Sequence, residues 1–423
     1  MEEYLKQVEE QIRCKKSRPF IRQELKDHIE DQMNHYMQSG ISQAEALKMA
    51  VKEMGDPVET GISLDHIHRP KTAYHLLLLI ALISLAGCMI QTGIAGGNAE
   101  VATYASGRYP IYMLLGLTVM FLFYAVDYMN VARYSKVIAL LLILTAFCVR
   151  FMGLSINGKN AWIYIGGGIS ISIEALMLLY VPIYAGILYS YRKNGYLGIL
   201  KAILWMFVPV IELRYLVAYV TSGVLLISMT VLLIIAISKN WFTVSKVKTI
   251  SCILGICLLF PLFTAAVLYY NSKFAPYQME RIQQFLNGYR TTNYTMNFHS
   301  DYVLQYVFHT YGIFAVTGVC CILAILLLAI LSIAIKQKNQ LGFLMGCAAD
   351  IVFLINILLN ILENMEIIPS VNTVLPFFST GGSNLIVFYA LLGLVLNIYR
   401  YKDIYPDNFE INVVKNLPNT DCR

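Results

Sequence analysis

An acidic residue stands where a polar segment of this chain gives way to a long apolar segment. The polar segment reads His299-Ser300-Asp301-Tyr302, and the next residues, 303–335, contain no Asp, Glu, Lys or Arg. A carboxylate at the edge of a membrane is costly, and function is the usual reason to keep one. Asp301 is therefore a candidate catalytic group, although its position alone fits an interfacial acid solvated by its loop equally well.

Two further acids lie near the same side of the predicted membrane segments. Glu174 lies just inside the fourth apolar segment, and Glu212 lies where the fifth one ends. Three acids from three separate elements on one side of a membrane are typical of a functional site. Each also has a structural explanation, since Glu174 could bond a backbone N–H or pair with an arginine, and Glu212 could pair with Arg214.

Two polar stretches add candidates for ligand binding. Lys159 and Trp162 lie in the loop at 154–170, where an indole could equally mark a membrane interface. The second stretch begins the last apolar segment and reads Leu375-Pro376-Phe377-Phe378-Ser379-Thr380-Gly381-Gly382-Ser383-Asn384. Its small and polar residues could present backbone N–H groups to an anion or allow two helices to approach closely.

Composition assigns the chain to a structural class. Hydrophobic residues make up 57% of the 423 residues and charged residues 14%, with a mean hydropathy of +0.60. Soluble globular domains do not have this composition, so we expect an all-α polytopic membrane protein. The formal charge of +6 does not indicate a nucleic-acid partner, because the cations lie mainly between apolar segments.

Ten apolar segments predict ten transmembrane helices of about 20 residues, the length that a bilayer requires. We place them at 74–94, 110–129, 137–153, 171–190, 199–212, 216–238, 249–269, 302–335, 341–364 and 377–398. Every second connection carries Lys or Arg, which predicts that these connections are cytoplasmic. Both termini are then cytoplasmic, and the outer face carries the loops at 95–109, 154–170, 270–301 and 365–376.

The first 70 residues differ from the rest. Stretches at 2–13, 19–38 and 42–54 predict a small soluble three-helix domain, in which Gly55-Asp56-Pro57 ends the third helix. We therefore predict a cytoplasmic helical domain at 1–70, a transmembrane domain at 71–398 and a cytoplasmic tail at 399–423. The strings 25–32 (LKDHIEDQ) and 54–57 (MGDP) make the first domain resemble the prefix domains that precede permease-like proteins in Gram-positive bacteria.

The polar strings of the membrane region resemble those of the SEDS family, the FtsW/RodA/SpoVE cell-wall polymerases. The family's H-T-D-F is matched by the segment that contains Asp301, and its N-G-x-x-R-W-I and Q-P-S-E by residues that include Trp162 and Glu174. Its pattern N-I-G…P-x-x-G-x-P-L-P-F-x-S-Y-G-G-S-S is matched at Asn360, Ile361, Pro369, Leu375, Pro376, Phe377, Ser379, Gly381, Gly382 and Ser383. The similarity covers about 75–398.

The resemblance implies a peptidoglycan glycosyltransferase that polymerises lipid II on the outer face of the bacterial cytoplasmic membrane, in division, elongation or sporulation. Asp301 would be its general base, removing a proton from an acceptor hydroxyl. The leaving diphosphate would need positive charge from a divalent cation such as Mg or Mn, from a helix N-terminus, or from Lys159 or Arg281. The expected partners are membrane lipid and a class B penicillin-binding protein, a transpeptidase. The expected substrate-binding residues are Trp162, Glu174, Lys159, Arg281, His299, Glu212, Ser379, Gly381, Gly382 and Ser383.

The chain departs from the family pattern at several positions, and two other functions stay open. Q-P-S-E reads Ile171-Ser172-Ile173-Glu174, and only residues 288–298 stand where the family has a long Gly-rich loop. As a transporter, the protein would move a lipid-linked precursor between leaflets. As a scaffold, it would hold a transpeptidase without catalysing a reaction.

Overall fold

The computed structural model describes residues 1–97, 99–156, 159–166, 169–270, 276–287 and 298–406. The helices and strands in these ranges are α1 (Glu2–Gln11), α2 (Arg18–Gln38), α3 (Gln43–Glu53), α4 (Pro57–Ile67), α5 (Tyr74–Gly97), α6 (Ala99–Ala125), α7 (Tyr128–Arg133), α8 (Ser135–Met152), β1 (Leu154–Ile156), β2 (Lys159–Gly166), β3 (Ile169–Ser172), α9 (Ile173–Met177), α10 (Tyr180–Ser190), α11 (Tyr196–Tyr215), α12 (Tyr219–Ser238), α13 (Lys246–Tyr270), α14 (Pro276–Leu286), α15 (Val303–Tyr311), α16 (Ile313–Ile335), α17 (Gln340–Asn364) and α18 (Gly382–Arg400).

The chain divides into two compact units. The first contains Met1–Ala73, Lys336–Phe343 and the described part of Ile398–Arg423. Within it, Lys71 donates a backbone hydrogen bond to the carbonyl of Arg400 (3.1 Å) and its Nζ lies 2.7 Å from the Asp403 carboxylate. The second unit contains Tyr74–Ile335 and Leu344–Asn397. The domain boundaries that the sequence places at residues 70 and 398 stay predictions.

The N-terminal region has a fourth helix beyond the three predicted ones. The sequence Gly55-Asp56-Pro57 ends α3, as expected, but it also begins α4. The Asp56 carboxylate accepts hydrogen bonds from the backbone N–H groups of Val58 (2.9 Å) and Glu59 (3.0 Å). Pro57 occupies the first helical position, where its missing N–H is not needed. The same three residues therefore end one helix and start the next.

Ten helices in the described part of the chain are long and apolar enough to cross a membrane, which confirms the predicted number. They are Tyr74–Gly96, Arg108–Ala125, Ser135–Met152, Ile173–Ser190, Tyr196–Tyr215, Tyr219–Ser238, Lys246–Val267, Ile313–Ile335, Gln340–Asn364 and Gly382–Arg400. The most enclosed are Ile173–Ser190, Gln340–Asn364 and Gly382–Arg400, whereas Lys246–Val267 is the least enclosed. Exposed apolar side chains are expected on helices that face lipid.

The eighth segment is not the single helix predicted at 302–335. It breaks at Gly312, which has a φ of +80° and separates α15 from α16. Glycine adopts this left-handed conformation without the steric cost that a side chain imposes. Asp301 therefore precedes a short helix of 9 residues rather than the membrane helix itself.

The loop predicted at 154–170 contains a small antiparallel sheet in the order β1-β2-β3. Trp162 lies opposite Leu154 on one side and Ser172 on the other. This sheet leads directly into α9, so the fourth membrane segment begins at Ile173. The strands give Trp162 and Glu174 a folded support, where the sequence indicated only a polar loop.

A cluster of aromatic rings fills the region where α17, α18 and the segment before α18 meet. Phe353 and Phe377 stack with ring centroids 5.8 Å apart, and Tyr389 packs edge-on against Phe377 at 5.1 Å. Phe377 has a φ of +67°, and its carbonyl accepts a hydrogen bond from the Tyr109 hydroxyl. The apolar half of the Leu375-Pro376-Phe377-Phe378 string is thus part of the core, and it fixes the polar half that follows.

Candidate active site

The backbone that carries Asp301 is held by polar side chains from other elements. The His299 carbonyl accepts hydrogen bonds from Gln91 Nε2 (3.0 Å), Thr380 N (2.9 Å) and Thr380 Oγ1 (2.9 Å). The Ser300 carbonyl accepts one from Ser379 Oγ. Ser379, a predicted binding residue, is buried and has a structural task, since it also accepts a hydrogen bond from the Leu375 backbone.

The C-terminal end of α17 completes this support. Asn360 Nδ2 and Asn364 Nδ2 donate to the Asp301 carbonyl at 3.0 and 2.9 Å. Asn360 Nδ2 also donates to the carbonyl of Thr373 (3.2 Å). Three consecutive carbonyls, from His299 to Asp301, are therefore fixed by side chains, and a catalytic group requires such positioning.

The Asp301 carboxyl group lies in an environment that favours its neutral form. The side chain is buried, with 7% of its surface exposed, and burial is the main cause that raises its pKa. The nearby Glu363 carboxyl raises it further, whereas a hydrogen bond from Ser300 and the charge of Arg281 lower it. The resulting pKa is about 7. A carboxyl with this pKa is close to the optimum for a general base at neutral pH.

A cavity of about 980 Å³ opens beside this segment. Seven of the predicted site residues line it, namely Trp162, Glu174, Arg281, His299, Gly381, Gly382 and Ser383. The lining comes from the sheet, from α6, α9, α12, α14, α17 and α18, and from the segments that precede α10, α12, α15 and α18. These elements lie far apart in sequence, and the fold brings them to one concave surface.

Three predicted site residues do not line the cavity, and a fourth cannot be placed. The backbone carbonyl of Asp301 is linked to the cavity wall through Asn360, which also donates to the lining residue Thr373. Ser379 lies behind it in the hydrogen-bond network of the segment. Glu212 lies in α11 away from the lining, and the side chain of Lys159 falls outside what the structure describes, as do Asn157, Gly158 and the shortened loop at 288–297.

Glu212 does not pair with Arg214, the alternative that the sequence left open. Both residues lie in α11, where residues two apart point to different sides. In the described part of the chain, Glu212 Oε1 is buried and accepts no hydrogen bond. The sequence suggested a short loop here, and a helix takes its place.

The charged and polar groups of the cavity are placed by specific contacts. Arg281 Nη1 donates to Asn372 Oδ1 at 2.8 Å and lies 3.4 Å from the Ser370 carbonyl. Thr221 Oγ1 lies 3.5 Å from the Glu174 carboxylate. A basic group on one element and an acidic group on another thus face the same space, which suits a substrate with both hydroxyl and anionic groups.

The glycine pair allows a close approach. A Cβ atom at Gly382 would lie 2.8 Å from the ring of Tyr112. Ser383 Oγ accepts a hydrogen bond from the Ser172 backbone N–H (3.0 Å), which ties α18 to strand β3. The packing explanation for this string is therefore correct for Gly382, and the same residues also line the cavity.

Sequence reasoning missed several lining residues, among them Arg108, Tyr112, Thr221, Asn356 and Asn384. It also missed Glu363, whose carboxyl raises the pKa of Asp301. One signal was available for Glu363, since an acid within a membrane-length apolar segment is costly and is usually kept for a reason. The other residues are common at helix ends and have no distinctive sequence signal.

The chain matches a family model described as cell cycle protein, FtsW/RodA/SpoVE, over residues 71–298 and 288–404. It is 23% identical over 406 residues to the probable peptidoglycan glycosyltransferase FtsW of Aliivibrio salmonicida, covering 85% of this chain and 96% of the relative. The same-named protein of Wigglesworthia glossinidia brevipalpis is 26% identical over 360 residues, covering 76% and 90%.

Solved structures share the fold. A chain of a peptidoglycan synthase complex aligns with a TM-score of 0.66 at 21% identity, covering 79% of this chain and 99% of the other. The rod shape determining protein RodA of Thermus thermophilus aligns with a TM-score of 0.58 at 20% identity, covering 78% and 97%. These alignments cover nearly the whole length of the related chains.

Proposed function

The chain belongs to the FtsW/RodA/SpoVE family of membrane proteins, and we propose that it is a peptidoglycan glycosyltransferase in which Asp301 is the general base. Relatives that it matches over most of their length carry that activity in their names. The observation that carries the proposal is the buried Asp301 carboxyl, with a pKa of about 7, on a fixed segment beside a polar cavity.

The reaction requires two tasks at the cavity. An acceptor hydroxyl must lose its proton as it attacks the anomeric carbon of the donor, and the Asp301 carboxylate accepts that proton. The C–O bond to the lipid-linked diphosphate then breaks, and the leaving group carries away the electron pair as negative charge. Arg281, fixed by Asn372, supplies positive charge for this diphosphate, as does Arg108, which also lines the cavity.

Lipid II fits both tasks, because it combines a disaccharide with a lipid-linked diphosphate. The cavity lies at the ends of the membrane helices that are opposite the Lys-rich and Arg-rich connections. The positive-inside rule puts this end on the outer face and both termini in the cytoplasm. A class B penicillin-binding protein is the proposed partner, supported by the fold shared with a chain of a peptidoglycan synthase complex.

A divalent cation stays a proposal. Within the described ranges, no group of three or more His, Cys, Asp and Glu side chains could hold a metal on its own. Magnesium in diphosphate sites often uses only one or two protein carboxylates together with the phosphates. Glu174 is the carboxylate that lines the cavity, so it would hold the ion, which would supply positive charge to the leaving group.

The test is polymerisation of labelled lipid II by purified protein in detergent. Wild type is compared with Asp301→Ala, with and without a divalent metal and a cognate transpeptidase. We expect glycan chains from wild type and none from the variant. Absence of product from folded wild type under all of these conditions would contradict the proposal and favour a scaffold or a different lipid-linked substrate.

A further inference from the structure

Glu363 lies in α17 with 1% of its surface exposed, and its carboxyl group is the acceptor for a whole turn of the following segment. Oε1 accepts hydrogen bonds from Ser370 Oγ (3.1 Å), Val371 N (2.9 Å) and Asn372 N (3.1 Å). Oε2 accepts from Thr373 N (2.9 Å) and from the Thr373 hydroxyl. One buried side chain thus binds four consecutive residues, which we call the 370–373 loop.

The 370–373 loop in turn holds Arg281. The guanidinium lies against Asn372 Oδ1 and the Ser370 carbonyl. Asn372 has a φ of +57° and stands where the P-x-x-G of the family pattern has glycine. Asparagine tolerates this conformation better than most residues. At this position it adds a side-chain oxygen that glycine would not provide.

The same end of α17 also holds Asp301. Asn360 and Asn364, on either side of Glu363, donate to the Asp301 carbonyl, and Asn360 bonds Thr373 as well. One helix end therefore fixes the segments that carry Asp301 and Arg281, two of the charged groups that the proposed reaction uses. This arrangement rests on buried hydrogen bonds, and losing their acceptor would leave several donors unpaired.

We propose that Glu363 is a positioning residue that holds the 370–373 loop and, through this loop, keeps Arg281 in place for a lipid-linked diphosphate. This inference rests on the proposed function, and it adds a group outside the cavity lining to the binding of the leaving group. Because Glu363 does not line the cavity, it acts through Arg281 rather than on the substrate.

Replacing Glu363 should change the pKa of Asp301 in a defined direction. Among the residues that the structure describes, the charged groups that act on Asp301 are Glu363, which raises its pKa, and Arg281, which lowers it by a smaller amount. Glu363→Gln removes the larger of the two influences, so Asp301 ionises at lower pH. The acidic limb of the kcat/KM profile then moves toward lower pH by on the order of one unit. A residue with only a structural role would not produce this shift.

Four variants separate the two effects. Glu363→Gln raises KM for lipid II and moves the acidic limb. Glu363→Asp keeps the charge but shortens the side chain, so it raises KM without moving the limb downward. Asn372→Gly removes one contact to Arg281 and suits the positive φ, so KM rises about tenfold, as expected for a lost hydrogen bond to a charged group. Asp350→Asn is the control, because it removes another buried carboxyl about 20 Å away along α17.

A binding measurement with undecaprenyl diphosphate makes the outcome independent of turnover. We expect Glu363→Gln and Asn372→Gly to weaken its binding about tenfold, and Asp350→Asn to bind like wild type. If wild type makes no glycan but binds the diphosphate more tightly than both variants, the proposed polymerase is wrong and the positioning role stands. The positioning role is wrong if wild type makes glycan while both variants bind undecaprenyl diphosphate as tightly as wild type and show the same acidic limb. Should Glu363→Gln fail to fold, weaker binding by Glu363→Asp together with Asn372→Gly supports the positioning role, and wild-type binding by both contradicts it.

Discussion

The pH dependence of glycan synthesis follows from the environment of one carboxyl group. In the proposed reaction Asp301 must be ionised to accept a proton, and burial together with the Glu363 carboxyl raises its pKa from 3.8 to about 7. Below this pH the native protein carries a protonated Asp301, which cannot act as a base. We therefore expect kcat/KM for lipid II to rise as pH increases through 7 and to level off above 8.

The size of the effect can be calculated from the pKa. Half of the molecules carry ionised Asp301 at pH 7, about a tenth at pH 6 and about a hundredth at pH 5. The rate at limiting substrate should therefore fall about fivefold between pH 7 and pH 6 and about tenfold for each further unit. An ordinary aspartate with a pKa near 3.8 would stay ionised throughout this range and give a flat profile.

The assay is the initial rate of labelled glycan formation between pH 5 and 9 at constant ionic strength and limiting lipid II. His299→Gln is a useful comparison, because burial lowers the pKa of His299 and its titration cannot account for a limb near 7. The variant should therefore show the same acidic limb near pH 7 as wild type, whatever its absolute rate. A flat wild-type profile from pH 5 to 8, in protein that stays folded, would refute the assignment of Asp301 as a buried general base.

Three further predictions concern the fold. Gly87→Ala should lower thermal stability in detergent strongly, because its Cβ would lie 2.2 Å from the Phe377 carbonyl oxygen, whereas Gly96→Ala in the same helix meets nothing within 4 Å and should be tolerated. Gly312→Ala should cost about 1 to 2 kcal/mol at its positive φ, measured as a lower melting temperature, and unchanged stability would contradict the break described there. Asp56→Ala should destabilise the N-terminal helices by about 1 kcal/mol, seen as faster amide exchange in α4, and Asp56→Asn should restore protection.

The ten membrane helices could be predicted from the sequence because a helix spans a bilayer when it is long and apolar enough. Both properties can be read from the sequence alone. The break at Gly312 could not be predicted, because a single glycine in an apolar segment is compatible with a continuous helix. The sheet around Trp162 was also missed. Its strands are short and interrupted by glycine and asparagine, a composition that is typical of loops.

The candidate site was predictable where short polar strings stand out against apolar sequence. Asp301, Trp162 and Glu174 came from such strings, and the structure places Trp162 and Glu174 on one cavity. Glu363 was missed because its task depends on a segment that returns to it seven to ten residues later. Side-chain acceptors of this kind follow from the path of the backbone, which residue types alone do not specify.

The central claim is that Asp301 performs the proton transfer of a polymerisation reaction. Its most direct test is the initial rate of lipid II polymerisation by Asp301→Asn beside wild type and Asp350→Asn at pH 8, where wild-type Asp301 is mostly ionised. We predict that Asp301→Asn loses activity by a factor of about 100 to 10,000, the usual contribution of a general base, while Asp350→Asn stays active. Wild-type rates from folded Asp301→Asn protein would contradict the account.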